Sequence, residues 1–108
     1  MSEFTISRID DGSGLKVIGE LDAATAPQLT TELSRASHEG DVVLDLSELT
    51  FLDSCGVRSI LEFAKRRNGN GPVVISKASP AVVRVFEILG LEQHRGIELR
   101  RMTEQAAL

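Results

Sequence analysis

The sequence predicts an α/β fold: a mixed β-sheet whose elements run β-β-α-β-α-β-α-β. Three observations predict it. Short apolar runs, several rich in β-branched residues, alternate with segments of helical periodicity along the chain. The later runs are separated by helix-length segments, the spacing of parallel strands joined by right-handed crossovers. The first two runs are separated only by Asp10-Asp11-Gly12-Ser13-Gly14, a stretch dense in turn formers, so they pair as an antiparallel hairpin.

Each element has its own signal. From Glu3 to Ile9 the residues alternate, with Phe4, Ile6 and Arg8 on one face and Thr5, Ser7 and Ile9 on the other. Leu15 to Ile18 reads as the second arm of the hairpin, and Gly19-Glu20-Leu21-Asp22 leaves it. A helix follows. Thr25 is its expected N-cap, Gln28 completes a capping-box pattern, and Pro27 is tolerated in a first turn. Ala26, Leu29, Leu33 and Ala36 form its apolar face, and His38-Glu39-Gly40 ends it. Val42, Val43, Leu44 and Leu46 then read as a strand covered on both faces. A tight turn holds Asp53, Ser54, Cys55 and Gly56. The second helix repeats Val57, Ile60, Leu61 and Ala64 at i, i+3, i+4 and i+7. Asn68-Gly69-Asn70-Gly71-Pro72 stops it, and Val73 to Ser76 is a short apolar strand. Ser79-Pro80 opens a third helix, with serine as N-cap and proline at the first helical position. Val82, Val83, Phe86 and Leu89 are its expected buried face, and Gly90 closes it. Ile97 to Leu99 reads as an edge strand. The tail from Thr103 to Leu108 reads as a partial helix or a frayed end.

At 108 residues the chain has the size of one domain, with its core expected over 4–99 and a tail at 100–108. Trp and Tyr are absent, so the core must be mostly aliphatic. A net charge of −4 argues against nucleic acid as the main partner, because phosphate binding needs a concentrated positive face. The run Lys65-Arg66-Arg67 is too short to reverse this; at a helix end it complements the dipole. A single cysteine forms no internal disulfide and no Cys-rich metal site. The first ten residues carry no basic segment followed by an apolar run, and no apolar stretch is long enough to cross a membrane. The expectation is a cytoplasmic monomer with no membrane partner.

Enzyme signatures are missing. There is no Walker loop, no Gly-x-Gly-x-x-Gly and no Gly-x-Ser-x-Gly elbow. His38 and His94 fall near expected helix ends without metal-ligand spacing, as solvated surface histidines do. No cofactor is implied. Asp53 ends a strand-loop, as the phosphorylated aspartate of a response-regulator receiver does. A receiver also needs an acidic pair ending its first strand, and here Asp10-Asp11 precede a Gly-Ser-Gly turn instead. Cys55, in the first turn of a helix, has two readings: a thiol of lowered pKa, or a small residue that packs well. Gly56 costs roughly 1 kcal/mol against Ala inside a helix. Either another molecule's backbone comes close there or a packing contact leaves no room for a Cβ. Ser54, where the helix begins, has two jobs open to it. It can cap exposed backbone N–H groups, or it can carry a phosphate that those N–H groups and the dipole favour.

LDLSELTFLDSCGVRSIL (Leu44 to Leu61) resembles the central motif of the STAS family, in particular the bacterial anti-sigma factor antagonists. GELDAATAP, the Gly-containing turn before VVIS, and SPAVVRVFEILGLE agree in order and spacing, so the likeness runs from about Phe4 to Leu99. The resemblance implies a STAS-like mixed sheet with helices packed mainly on one face, and a regulatory binding module rather than an enzyme. It implies that the unphosphorylated form binds an anti-sigma factor that is also a GHKL-type serine kinase, releasing the sigma factor for transcription. It implies phosphorylation of Ser54, directly after Asp53, and reversal by a PPM-type serine phosphatase. Asp22, Asp53, Ser54, Cys55 and Gly56 are the partner-binding residues this likeness implies. Where family members often have Ser or Thr after the phosphorylated residue, this chain has Cys55, which removes one alternative acceptor. A second reading is a non-switching STAS adaptor in a transporter or other signalling complex, with Ser54 unmodified. A redox protein using Cys55 is the third, and it lacks a partner base.

Overall fold

A computed structural model describes residues 3–9, 13–36 and 39–100. Its frame is a six-stranded mixed sheet. The strands are β1 (Thr5–Ile9), β2 (Gly14–Leu21), β3 (Val42–Leu46), β4 (Leu49–Leu52), β5 (Val73–Ala78) and β6 (Ile97–Leu99). β1 is antiparallel to β2, with Ile6 opposite Val17, as the expected hairpin requires. The sheet then runs β2-β3-β5-β6, every pair parallel, while β4 pairs with β2 off this path. Three helices connect the strands: α1 (Ala26–Ala36), α2 (Ser54–Arg66) and α3 (Pro80–Leu89).

Two strand expectations need correction. β2 does not end at Ile18 but runs on to Leu21. Gly19 reads as a strand stop in sequence, yet it is a bulge glycine at φ +110, where the register slips. A Cβ there would lie 2.1 Å from the Glu3 carbonyl oxygen, so only glycine fits. The second correction is β4, a strand absent from the expected order. Its burial pattern is inward at Leu49 and Leu52 and outward at Thr50 and Phe51, so the period-2 signal is missing. The two corrections share one cause. The long β2 offers its first half to β3 and its second half to β4.

The core lies against one face of the sheet. Leu15, Leu44 and Ile75 stand in register across β2, β3 and β5 and are fully buried. Leu29 and Leu33 of α1, Ile60 and Phe63 of α2, and Val82 and Phe86 of α3 complete the cluster. It is aliphatic apart from the two phenylalanines, as the composition requires. Two helix-face expectations shift. Phe63 rather than Leu61 is buried on α2, and Leu89 at the end of α3 is 53% exposed because it lies on the helix rim. On the sheet's other face Asp45 is nearly buried. Burial pushes its carboxyl up, but hydrogen bonds from the Ser47 hydroxyl and N–H, with the charges of Lys16 and Lys77, hold it below the ordinary range.

The helix ends confirm some caps and move others. Ser79 accepts from the Val82 N–H and donates to the Leu49 carbonyl at 2.6 Å, and Gly90 closes α3 at φ +69. Thr25 directly precedes α1, but its hydroxyl faces backwards. It accepts from the Asp22 N–H and donates to the Glu20 carbonyl. Of the run Lys65-Arg66-Arg67, read as complementing the helix dipole, Arg67 does something else: it is 3% exposed, and its guanidinium donates to the carbonyls of Gly40, Asn70 and Gly71. The Asp10–Gly12 part of the hairpin turn, His38 and the tail from residue 101 lie outside the described residues.

Candidate functional site

The site forms where the carboxyl ends of β2 and β4 meet the amino end of α2. Leu21 and Leu52 are register partners, so the next residues, Asp22 and Asp53, leave adjacent parallel strands side by side. Strand spacing sets those two backbones about 4.8 Å apart. The Asp53 N–H donates to the Leu21 carbonyl, which carries the pairing one residue past the strands. Carboxyl ends of parallel strands are where α/β sheets place their binding sites.

Both aspartates are spent on backbone. Asp53 is extended (φ −110, ψ −174), and its Oδ1 accepts from the Cys55 N–H at 2.9 Å and the Gly56 N–H at 3.1 Å. Asp53 is therefore the N-cap of α2. The cap role considered for Ser54 falls to its neighbour, because Asp53 has the non-helical backbone a cap needs and Ser54 does not. Asp22 makes a matching turn, its Oδ1 accepting from the N–H groups of Ala24 and Thr25.

This leaves Ser54 as the first helical residue, exposed. Its hydroxyl makes no hydrogen bond within the described residues, and the backbone beneath it is fixed by the cap. Cys55 is half-buried against the core, and its carbonyl accepts from the Ser59 hydroxyl. Gly56 is buried. A Cβ there would come within 2.7 Å of Leu21 Cγ and 2.8 Å of Leu52 Cδ1. Of the two reasons open for this glycine, the internal packing contact is the one the structure holds. Gly56 sets how closely α2 sits on β2 and β4, and so where Ser54 stands.

From Ser54 a shallow cleft of about 350 Å³ runs along α2, lined by Arg58, Leu61, Glu62 and Lys65 and closed by Leu89 of α3. Arg58 and Leu89 were not singled out by sequence. For Arg58 the signal was there, because it stands four residues after Ser54 and therefore on the same helix face. For Leu89 there was none, since it fits the apolar repeat of α3. Two further large apolar side chains are exposed, Ile88 next to Leu89 (74%) and Phe51 two residues before Asp53 (47%). A larger cleft, about 760 Å³, lies at the opposite end of α2; it contains none of the expected site residues and is lined in part by His94, which the sequence reads as a solvated surface residue. That histidine is half-buried, its Nδ1 accepting from the Gly96 N–H. Among the described residues no group of three His, Cys, Asp or Glu is placed to hold a metal ion, and no helix is long and apolar enough to cross a membrane.

The arrangement is a capped helix start that presents an exposed serine hydroxyl directly after the capping carboxylate of Asp53. A family model of the STAS domain matches residues 5–106. The chain belongs to the STAS domain family. A candidate anti-sigma factor antagonist of Bordetella bronchiseptica, BtrV, is 36% identical over 82% of this chain and 78% of its own. The anti-sigma-B factor antagonist of Staphylococcus epidermidis is 35% identical over 77% of this chain and 80% of its own. Among solved structures, an anti-sigma factor antagonist from Mycobacterium paratuberculosis superposes with a TM-score of 0.73 at 25% identity, covering 99% of this chain and 92% of that one. The expected STAS-like mixed α/β fold is thus the observed one.

Proposed function

We propose that this STAS protein is an anti-sigma factor antagonist switched by phosphorylation of Ser54. The observation that carries the proposal is the exposed, uncommitted Ser54 hydroxyl on a helix start whose capping is already supplied by Asp53. A serine doing structural work would be costly to modify; this one is not doing any. The relatives support the antagonist part of the reading, since proteins matching most of their length to this chain are named as anti-sigma factor antagonists.

In the unphosphorylated form, the face made by Asp22, Asp53, Ser54 and Cys55, with Gly56 beneath it, binds an anti-sigma factor that is also a GHKL-type serine kinase. Sigma factor is thereby released. The kinase then turns the complex off. Ser54 Oγ attacks the γ-phosphorus of ATP, ADP leaves with the bridging electron pair, and the hydroxyl proton passes to a base on the kinase. The product carries about −1.5 to −2 charges and three acceptor oxygens. It stands beside two carboxylates, so the face becomes strongly negative and sterically blocked. A PPM-type phosphatase returns the phosphate to water and restores binding.

No refolding is needed, because the helix start tolerates an anion as built. SpoIIAA has been solved in unphosphorylated and phosphorylated forms, at 20% and 19% identity to this chain. Both share this fold, with TM-scores of 0.56 and 0.58, which fits a switch without a change of fold.

The test uses wild type, Ser54→Ala and Ser54→Asp as baits in lysate of the source cell with ADP or ATP. Capture of a GHKL-type kinase by the first two and its loss with Ser54→Asp is the expected result. Equal retention of one partner by all three baits, such as a transporter ATPase, overturns the switch in favour of a non-switching adaptor.

A further inference from the structure

The proposed switch places a dianion on an exposed helix face, and the structure supplies a cation for it. Ser54 and Arg58 are four residues apart on α2 and line the same cleft. That spacing puts them about 6 Å apart along the axis, on one face. Side chains of a helix lean towards its amino end, so a long side chain at i+4 lies over position i. Acid first and base four residues later is also the favourable order for such a pair.

The other charges around Ser54 do not fill this role. Asp53 is a carboxylate already holding the N–H groups of Cys55 and Gly56, and Asp22 holds those of Ala24 and Thr25. Lys65, the other cation of the cleft, is eleven residues along α2, about 16 Å down the axis and out of reach. Glu62 is the one competitor for Arg58 on this face, and the two form no ion pair among the described residues. Across the cleft α3 offers Leu89, which is uncharged. Arg58 itself is exposed, with its guanidinium available.

We propose that Arg58 is the intramolecular counter-ion of phosphorylated Ser54. The guanidinium folds back onto the phosphoryl oxygens, in the paired N–H···O geometry that arginine makes with phosphate. Phosphorylation then changes the binding face twice. It adds a dianion at its centre, and it withdraws the exposed cation one turn away. This deepens the switch proposed above and rests on Ser54 being the modified residue.

The experiment reads the phosphate directly. Phosphoserine is installed at position 54 of the full chain during synthesis, so no kinase is needed, and its second ionisation is followed by phosphorus NMR. In the Arg58→Gln protein the second phosphate pKa is expected to rise by about half a pH unit relative to wild type. The difference should shrink in 1 M salt, where screening length falls to about 3 Å, and Arg58→Lys should give an intermediate value. Identical titrations of wild type and Arg58→Gln at low salt overturn the proposal. Both residues are exposed, so circular dichroism should show all variants folded. The two proposals fail separately. A normal shift in a protein whose Ser54 no kinase modifies sinks the switch and leaves the pairing. Kinase modification with no shift sinks the pairing and leaves the switch.

Discussion

Each end of α2 is held by one charged side chain that binds backbone, with opposite sign at the two ends. At the amino end, unpaired N–H groups are satisfied by the Asp53 carboxylate. At the carboxyl end, the Arg67 guanidinium satisfies the carbonyls of the loop that follows, and of Gly40 from a neighbouring connection. The difference lies in what is left over. Arg67 is consumed: it is buried, stacked 5.6 Å from the Phe63 ring centroid and bonded on several sides. Asp53 uses one oxygen on backbone and leaves the next residue, Ser54, exposed and uncommitted. One end of the helix is therefore available for chemistry, and the other ties three segments together.

The largest effect expected of any substitution tests the buried end. Arg67→Ala removes a buried side chain together with its hydrogen bonds to three loop carbonyls and its contact with the Phe63 ring, a loss of about 3 kcal/mol. For a domain of this size that lowers Tm by about 12–20 °C. Calorimetry checks the number. Below the new Tm the amino end should be untouched, so partner capture at low temperature should survive. A stable Arg67→Ala protein would mean that the guanidinium bonds are surface decoration, and the contrast between the ends would collapse.

The next effect tests how the amino end is seated. Gly56→Ala gains about 1 kcal/mol of helix propensity but drives a methyl into Leu21 and Leu52. Overpacking costs about 1–3 kcal/mol, so the net loss is about 1 kcal/mol. Urea unfolding measures it. Because α2 must lift from β2 and β4, partner affinity should fall further than the stability loss explains. A neutral or stabilising Gly56→Ala would show that the glycine serves an external contact instead.

Much of this contrast was legible in the sequence, and the reasons for the misses are specific. Local signals that act through one turn were read correctly, such as the Ser79-Pro80 start and the Gly90 stop of α3. Signals that depend on distant partners were not. Gly19 looks like a strand end until Glu3 is placed against it. β4 looks like loop because its pairing partner, the second half of β2, lies about thirty residues upstream. Arg67 looks like any other basic residue at a helix end until the loops containing Gly40 and Gly71 fold around it. At the site, the aspartate-serine pair was visible. Which of the two caps the helix was not, since both residue types favour that position and only the backbone angles separate them.

The smallest effects therefore decide the assignment at the amino end. Asp53→Ala removes the oxygen that holds two N–H groups and should cost about 1 kcal/mol, as lost caps do. Ser54→Ala removes a hydroxyl with no internal partner and should fall within about 0.5 kcal/mol of wild type, as exposed substitutions do. Both are read from urea midpoints, with unchanged slopes showing that the unfolded state is the same. The ordering matters more than either value. If Ser54→Ala were the costlier of the two, serine would be the cap, a phosphate there would break the helix start, and modification would act by local unfolding. With Asp53 the costlier, the helix start stays capped whatever happens at Ser54. Phosphate incorporation, followed with the cognate kinase, should then disappear completely in Ser54→Ala at almost no cost in stability. On the switch proposed above, that separation of a residue's chemistry from its structural weight would let one hydroxyl change a binding face without disturbing the fold beneath it.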